Sequence, residues 1–197
     1  MAKAEIEVKF CVPHVDGLLQ RASEAGFRLE TPRTIERNAL FDTLGRDLLR
    51  ERKILRMRQY GDRWVVTHKR PPADNDDTAF VKERLETETA VEDGEAMGAV
   101  FVELGYRPMF RYEKFRTEMT DGAGALVIDE TPIGNFAELE GERAWIDAAL
   151  ERLGVSRDLC FTDSYGRMFL DWKERHGSSA ENMTFEEIEG ARELAAV

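Results

Sequence analysis

The sequence predicts an α+β protein in which strands close into a barrel or tunnel with a charged lumen, and helices cover the apolar outer face. Three observations carry this. Seven strand-like runs place charge on one face, five of them with charged residues at a spacing of two. The alternate positions in those runs are mainly apolar. Between and after the runs lie amphipathic segments with helix caps and glycine stops. Interior and exterior residues alternate along every strand of a barrel. A closed sheet with its charges inside therefore accounts for all the runs together, whereas a solvated face accounts for each only singly.

The first run is Glu5-Ile6-Glu7-Val8-Lys9, with Glu5, Glu7 and Lys9 on one face and Ile6, Val8 and Phe10 on the other. Two carboxylates two residues apart can hold a hard divalent cation, and a lysine one step on can hold an anion that the cation also binds. Asp16 can cap a first helix carrying Leu18, Leu19 and Ala22, with Gly26 as its stop. Arg56 and Arg58 then share a face, with Leu55 and Met57 opposite. Lys69 ends the next run, so His68 should face outward, and Trp64 should pack against a helix. Pro71 to Asp77 reads as a polar connection between strands. Lys82, Arg84, Glu86 and Glu88 line one face of the run from Phe80 to Thr89.

Asp93 can open a second helix with Met97, Val100, Phe101 and Leu104 on one side and Gly105 at its end. Tyr112, Lys114 and Arg116 alternate with Glu113, Phe115 and Thr117. Asp129 ends the run from Ala125, and Glu138 and Glu140 alternate with Ala137, Leu139 and Gly141. Trp145, Ile146, Ala149, Leu150 and Leu153 make a third helix, stopped by Gly154. Ser164 to Glu174 is a fourth, with Tyr165, Met168, Phe169 and Trp172 on its apolar side. Beyond Gly177, Thr184 and Glu187 form the capping box of a short acidic helix. The strand faces together hold eight bases and seven acids, a mixture suited to binding an anion and a cation side by side.

This order of motifs resembles the CYTH superfamily, the triphosphate tunnel metalloenzymes. Glu5, Glu7 and Lys9 fill its E-x-E-x-K signature. Arg56 with Arg58, Lys69, Arg84 with Glu86 and Glu88, Lys114 with Arg116, Asp129, and Glu138 with Glu140 follow in the family's order. The resemblance covers roughly residues 3–170 and implies an antiparallel, mainly eight-stranded barrel. The tunnel domain is expected over 1–175, with 176–197 as an acidic helical extension. The resemblance further implies that Lys9, Arg56, Arg58, Lys69, Lys82, Arg84, Lys114 and Arg116 bind a triphosphate, with Lys9, Lys69 and Arg116 in catalysis. It implies that Glu5, Glu7, Asp129, Glu138 and Glu140 hold Mg²⁺ or Mn²⁺, and that Glu86 and Glu88 line the tunnel.

The superfamily includes class IV adenylate cyclases, thiamine triphosphatases, inorganic tripolyphosphatases and RNA triphosphatases. The stretch Ile133 to Glu140 and the Ser164-Tyr165 pair resemble the cyclase branch, so conversion of ATP to cyclic AMP and pyrophosphate is the favoured expectation. The complete Arg84-x-Glu86-x-Glu88 strand suits a hydrolase of tripolyphosphate or thiamine triphosphate equally well. A module that binds a nucleotide or polyphosphate without turnover is disfavoured, because the acids a metal needs all stand beside the bases.

Composition fits this reading. A chain of 197 residues suits one domain with a real core. No apolar run is long enough for a transmembrane helix, and the amino terminus enters a strand pattern at once, unlike a signal peptide. Cys11 and Cys160 are too few for a disulfide framework and are expected as reduced, structural thiols in the cytoplasm. The formal net charge of −11 argues against binding duplex nucleic acid. It does not exclude a small anionic substrate, because the local field inside a lined cleft decides that. The three histidines lack metal-ligand spacing, and no glycine-rich phosphate loop is present.

Overall fold

A computed structural model describes residues 3–73 and 80–189, residue 3 by its backbone alone; the acidic part of the 71–77 connection lies outside the described residues. The strands are β1 (Lys3–Cys11), β2 (Arg28–Asp42), β3 (Ile54–Tyr60), β4 (Arg63–Arg70), β5 (Lys82–Val91), β6 (Arg107–Thr120), β7 (Ala125–Thr131) and β8 (Gly134–Glu140). They pair antiparallel in the order β5-β4-β3-β2-β6-β7-β8-β1, and β1 pairs with β5 to close the ring. A short β9 (Cys160–Phe161) continues along β1 beyond that closure. Closure removes the two free sheet edges and turns one face of every strand inward. Register shifts between β2 and β6 at Leu29/Thr31, Thr31/Thr34 and Leu40/Phe41 bend the two longest strands around the ring.

The outward faces are apolar where helices cover them. Helices α1 (Val15–Glu24) and α4 (Arg143–Leu153) bury Leu18, Ala22, Ile146, Ala149, Leu150 and Leu153 against Val8, Phe10, Leu126, Ile128 and Leu139. Here α2 denotes the short turn Asp47–Arg50, and α3 (Gly94–Glu103) lies on β3 and β4. A Cβ on Gly94 would fall 2.1 Å from the Trp64 ring, so this close approach admits only glycine. Helix α5 (Tyr165–His176) and residues 180–189 share a second core with Tyr112 and Phe136. Met183 bridges β6, its N–H donating to the Arg111 carbonyl at 3.0 Å and its carbonyl accepting from Glu113 N–H at 2.9 Å.

Several local expectations change. Strand β2 is absent from the sequence reading; most of its first half is exposed, so no inward alternation shows there. Asp16 does not cap α1: it sits in the first turn, and His14 occupies the cap position without a side-chain bond. On α3, Asp93 does cap, accepting from Ala96 N–H at 2.9 Å, but Val100 and Leu104 are exposed. The face that meets the sheet is Gly94, Met97, Gly98 and Phe101, the three-and-four stripe of one helical face. Asp129 lies inside β7 rather than at its end. Thr184 Oγ accepts from Glu187 N–H, but the Glu187 carboxylate turns to the N–H groups of Glu181 and Asn182, so only half of the capping box forms. Cys11 and Cys160 are both free thiols.

Candidate functional site

The lumen is a cavity of about 850 Å³. Of the eight bases and seven acids expected to face inward, all but Asp129 line it. The period-two alternation of the strands places them there, and ring closure brings distant strands face to face. His68 is not among the lining residues.

One wall is a chain of alternating acids and bases. Glu7 accepts from Lys9 at 2.9 Å, and Lys9 also pairs with Glu138 at 3.1 Å. Glu138 accepts from Arg116 Nη2 at 2.8 Å. Arg116 grips Asp129 through Nε at 2.8 Å and Nη2 at 2.7 Å, and Lys114 donates to Asp129 at 2.8 Å. Lys114 and Arg116 also face Glu36 at 3.4 and 3.8 Å. Buried charges persist only when paired, and here burial and pairing oppose each other. Burial pushes the Glu36 and Glu138 carboxyls up, but Lys114 and Arg116 beside Glu36, and Lys9 and Arg116 beside Glu138, bring both below the ordinary range. Burial likewise depresses Lys9, Lys114 and Arg116, and their acid neighbours more than restore them. All five groups are therefore held ionised.

The neighbouring stretch, where β1 lies between β8 and β5, is richer in acid. Oxygens of Glu5, Glu7 and Glu140 lie within 4.8 Å of one another. Lys69 donates to both oxygens of Glu5 at 2.8 and 2.6 Å and pairs with Glu86 at 3.2 Å, while Lys82 lies 3.6 Å from Glu7. Burial raises Glu7, but Lys9 with Lys82 and Lys69 holds it at about 2. Burial together with Glu138, Glu5 and Glu7 pushes Glu140 up to about 8. Three convergent carboxylates, one of them short of positive partners, are a hard-oxygen donor set that fits a divalent cation.

Nearer the opening, Arg56 donates to Thr67 at 3.2 Å and both Arg56 and Arg58 lie 3.4 Å from Glu88. Arg56 also donates to the Tyr112 hydroxyl at 3.4 Å. Arg84 lines the cavity and donates to the Glu83 carbonyl at 3.1 Å. The rest of the lining is mixed: Leu40, Phe41, Leu55, Phe110, Phe169 and Leu170 stand among Asp42, Arg46, Lys53, Arg167, Lys173 and Glu181. Phe110 and Phe169 stack at 5.5 Å.

Three inward groups escape a reading of the sequence. Glu36 and Asn38 sit two apart on β2, and Asn38 Nδ2 donates to Glu36 at 2.9 Å. Their spacing is the same signal that marks five of the other strands, but Arg37 and the exposed residues before it obscure the alternation. Tyr165 reads as an apolar helix residue, yet its hydroxyl donates to Asp129 at 2.6 Å. A tyrosine on an otherwise apolar face, with a polar end needing a partner when buried, was the available hint.

Residues 3–153 match the CYTH domain model. A Methanocaldococcus jannaschii protein named as a candidate adenylate cyclase is 26% identical over 172 residues, covering 82% of this chain and 95% of the relative. Among solved structures, a candidate adenylate cyclase from Vibrio parahaemolyticus superposes with a TM-score of 0.73 at 18% identity, covering 86% of this chain and 99% of the other. A Hippeastrum protein, described as a candidate adenylyl cyclase with a dominant triphosphatase activity, gives a TM-score of 0.58 at 15% identity over 87% and 96% of the two chains. At these identities the structural likenesses bear on the fold. No described helix is long and apolar enough to cross a membrane.

Proposed function

The chain belongs to the CYTH family, and we propose that it is a divalent-metal-dependent enzyme that acts on an organic triphosphate inside its barrel, as an adenylate cyclase converting ATP to cyclic AMP and pyrophosphate. One observation carries the reading: eight basic side chains from five strands converge on a single cavity in which the oxygens of three carboxylates also come within 4.8 Å of one another. Bases on several sides can neutralise a triphosphate through charge-assisted bonds. The apolar and aromatic side chains that share the cavity, Phe110 and Phe169 among them, give an organic group a surface to rest on that a bare inorganic chain would not use. Cys11 and Cys160 as free thiols agree with work in the cytoplasm.

Lys9, Lys114 and Arg116 would hold the phosphates on the basic wall, with Arg56, Arg58, Lys69, Lys82 and Arg84 closing around them; Lys9, Lys69 and Arg116 would take the catalytic roles. Glu5, Glu7 and Glu140 would hold Mg²⁺ or Mn²⁺, which when bound supplies Lewis-acid polarisation of phosphoryl oxygen. In the cyclase reaction the ribose 3′-oxygen forms a bond to the α-phosphorus as the bond to the bridging oxygen breaks, and pyrophosphate leaves. The basic side chains stabilise charge on that leaving group. The 3′-hydroxyl proton must pass to a base, for which Glu86 and Glu88 are within the same lumen.

Hydrolysis of the terminal phosphate is the second reading. It is favoured by Arg84, Glu86 and Glu88 all lining the cavity, since the two carboxylates can equally orient a water. Product analysis with ATP, tripolyphosphate and thiamine triphosphate, each under Mg²⁺ and Mn²⁺, tests both. Cyclic AMP with pyrophosphate establishes the cyclase; orthophosphate with the matching diphosphate, and no cyclic AMP, establishes the hydrolase; no turnover of any of the three sinks both.

A further inference from the structure

We propose that Asp129 and Tyr165 are a positioning pair for the basic wall, holding Lys114 and Arg116 where a triphosphate meets them, and that Asp129 is not a cation ligand. This rests on the triphosphate reading of the lumen.

Asp129 already accepts four bonds, three of them at Oδ2. A carboxylate offers about four lone-pair sites. Oδ1 accepts from Arg116 Nε, while Oδ2 accepts from Lys114 Nζ, Arg116 Nη2 and the Tyr165 hydroxyl, all between 2.6 and 2.8 Å. Asp129 is 0% exposed and does not line the cavity. A cation reaching it would have to displace two positive side chains from a dry site. Glu5, Glu7 and Glu140, by contrast, open their oxygens towards one another. The two-point grip of Arg116 on Asp129 fixes the plane of the guanidinium and leaves Arg116 also bound to Glu138.

Tyr165 comes to this pair from a helix rather than a strand and itself lines the cavity. It opens α5, its ring stacks on Tyr112 at 5.9 Å and meets Phe136 edge-on at 6.1 Å. Lys114 Nζ lies 4.7 Å from the ring centroid, so the tyrosine restrains Lys114 through its face and through the shared oxygen of Asp129. Tyr112 carries the same stack across to Arg56. The seat of α5 on the barrel is thereby tied to the orientation of three bases in the lumen. Packing without the hydroxyl would leave the ring contacts but remove the restraint on Asp129.

Two titrations on the protein separate the roles: Mn²⁺ alone, followed by the paramagnetic signal of the free ion, and an ATP analogue with methylene groups in place of both bridging oxygens of its triphosphate, inert to cyclisation and to hydrolysis, at saturating Mn²⁺, followed by calorimetry. Tyr165→Phe and Asp129→Asn are expected to keep Mn²⁺ affinity within about twofold and to weaken the analogue about 5- to 50-fold, the loss of a charge-assisted bond at a buried site. Glu140→Gln should lose Mn²⁺ affinity in the same assay. Mn²⁺ affinity falling by about tenfold or more in either variant would make Asp129 a ligand or its support and overturn the assignment. Unchanged analogue binding by Tyr165→Phe would reduce the tyrosine to packing. If Asp129→Asn does not fold, Tyr165→Phe, which keeps the ring, decides through the same pair of titrations. A wild-type protein that takes up Mn²⁺ but no analogue overturns the triphosphate reading and this proposal together; a wild type that binds both, with variants that do not separate them, overturns this proposal alone.

Discussion

Lys69 and Glu5 meet across the lumen although β5 lies between their strands: Lys69 Nζ donates to both Glu5 oxygens, at 2.8 and 2.6 Å. The lysine thus occupies a carboxylate that the cation is proposed to share. Burial depresses the Lys69 ammonium and Arg56 depresses it further, but Glu5 and Glu86 more than restore it, so it stays charged. Replacing Lys69 by Gln should therefore act in opposite directions on the two ligands. Mn²⁺ alone should bind about 3- to 10-fold more tightly, and a triphosphate analogue about tenfold more weakly, as one positive charge leaves the site. Parallel calorimetric titrations of the two ligands check this; a change of the same sign in both would refute it.

Arg58 and Lys114 should behave differently when truncated. Arg58→Ala should weaken triphosphate binding by about tenfold with little loss of stability, because its side chain is partly exposed at 17% and its acid partners lie at 3.4 and 4.0 Å. Lys114→Ala should weaken binding and also destabilise by about 3 kcal/mol or more, because it leaves Asp129 and the fully buried Glu36 under-neutralised. Urea unfolding beside a binding titration measures both quantities, and equal stability losses would contradict the difference in burial.

Glu138 and Glu140 are two residues apart and face the same lumen, but their partners differ. Glu138 is tied to Lys9 and Arg116, whereas Glu140 joins the acidic triad. Glu140→Gln should keep the thermal stability of the ion-free protein and lose most of the upward Tm shift that Mg²⁺ or Mn²⁺ produces. Glu138→Gln should lower the ion-free Tm by several degrees, about 1–3 kcal/mol, and retain much of the metal shift. Thermal melts with and without metal discriminate the pair, and identical behaviour would remove the distinction between the two carboxylates.

Asp121 supplies a pH-dependent part of the stability far from the lumen. Its carboxylate accepts from Trp145 Nε1 at 2.9 Å, Arg152 at 2.6 Å, and the Ala123 and Gly124 N–H groups at 3.0 and 3.2 Å, tying the β6–β7 turn to α4. Burial pushes the carboxyl up, and the bonds from Arg152, Ala123 and Trp145 more than reverse this, so its pKa lies below the ordinary 3.8. The unfolded chain takes up this proton first as pH falls. The stabilisation is thus whole above 3.8 and is lost as pH drops through the folded value. Asp121→Ala should cost about 1–3 kcal/mol at neutral pH and flatten the acid side of the stability curve. Denaturant melts between neutral and strongly acid pH would show it; an unchanged acid limb would exclude Asp121 as a source.

The sequence by itself determined side chains that face the lumen on six of the eight barrel strands, because strand geometry alternates faces every residue and charge beside apolar residue makes that alternation visible. Glu5, Glu7, Lys9, Arg56, Arg58 and Lys69 all fall where the period puts them. The same local rule was blind on β2, where exposed residues on both faces mask Glu36 and Asn38. It also could not distinguish a residue lining the lumen from one buried behind it, and so treated Asp129 like Glu140. Pairing was decided only by the tertiary structure. Ring closure sets Lys69 against Glu5, and helix packing brings the Tyr165 hydroxyl to Asp129 from 36 residues away. Which acid meets a base and which is left to a cation depends on distances across the barrel, and these belong to the closed sheet rather than to any one strand.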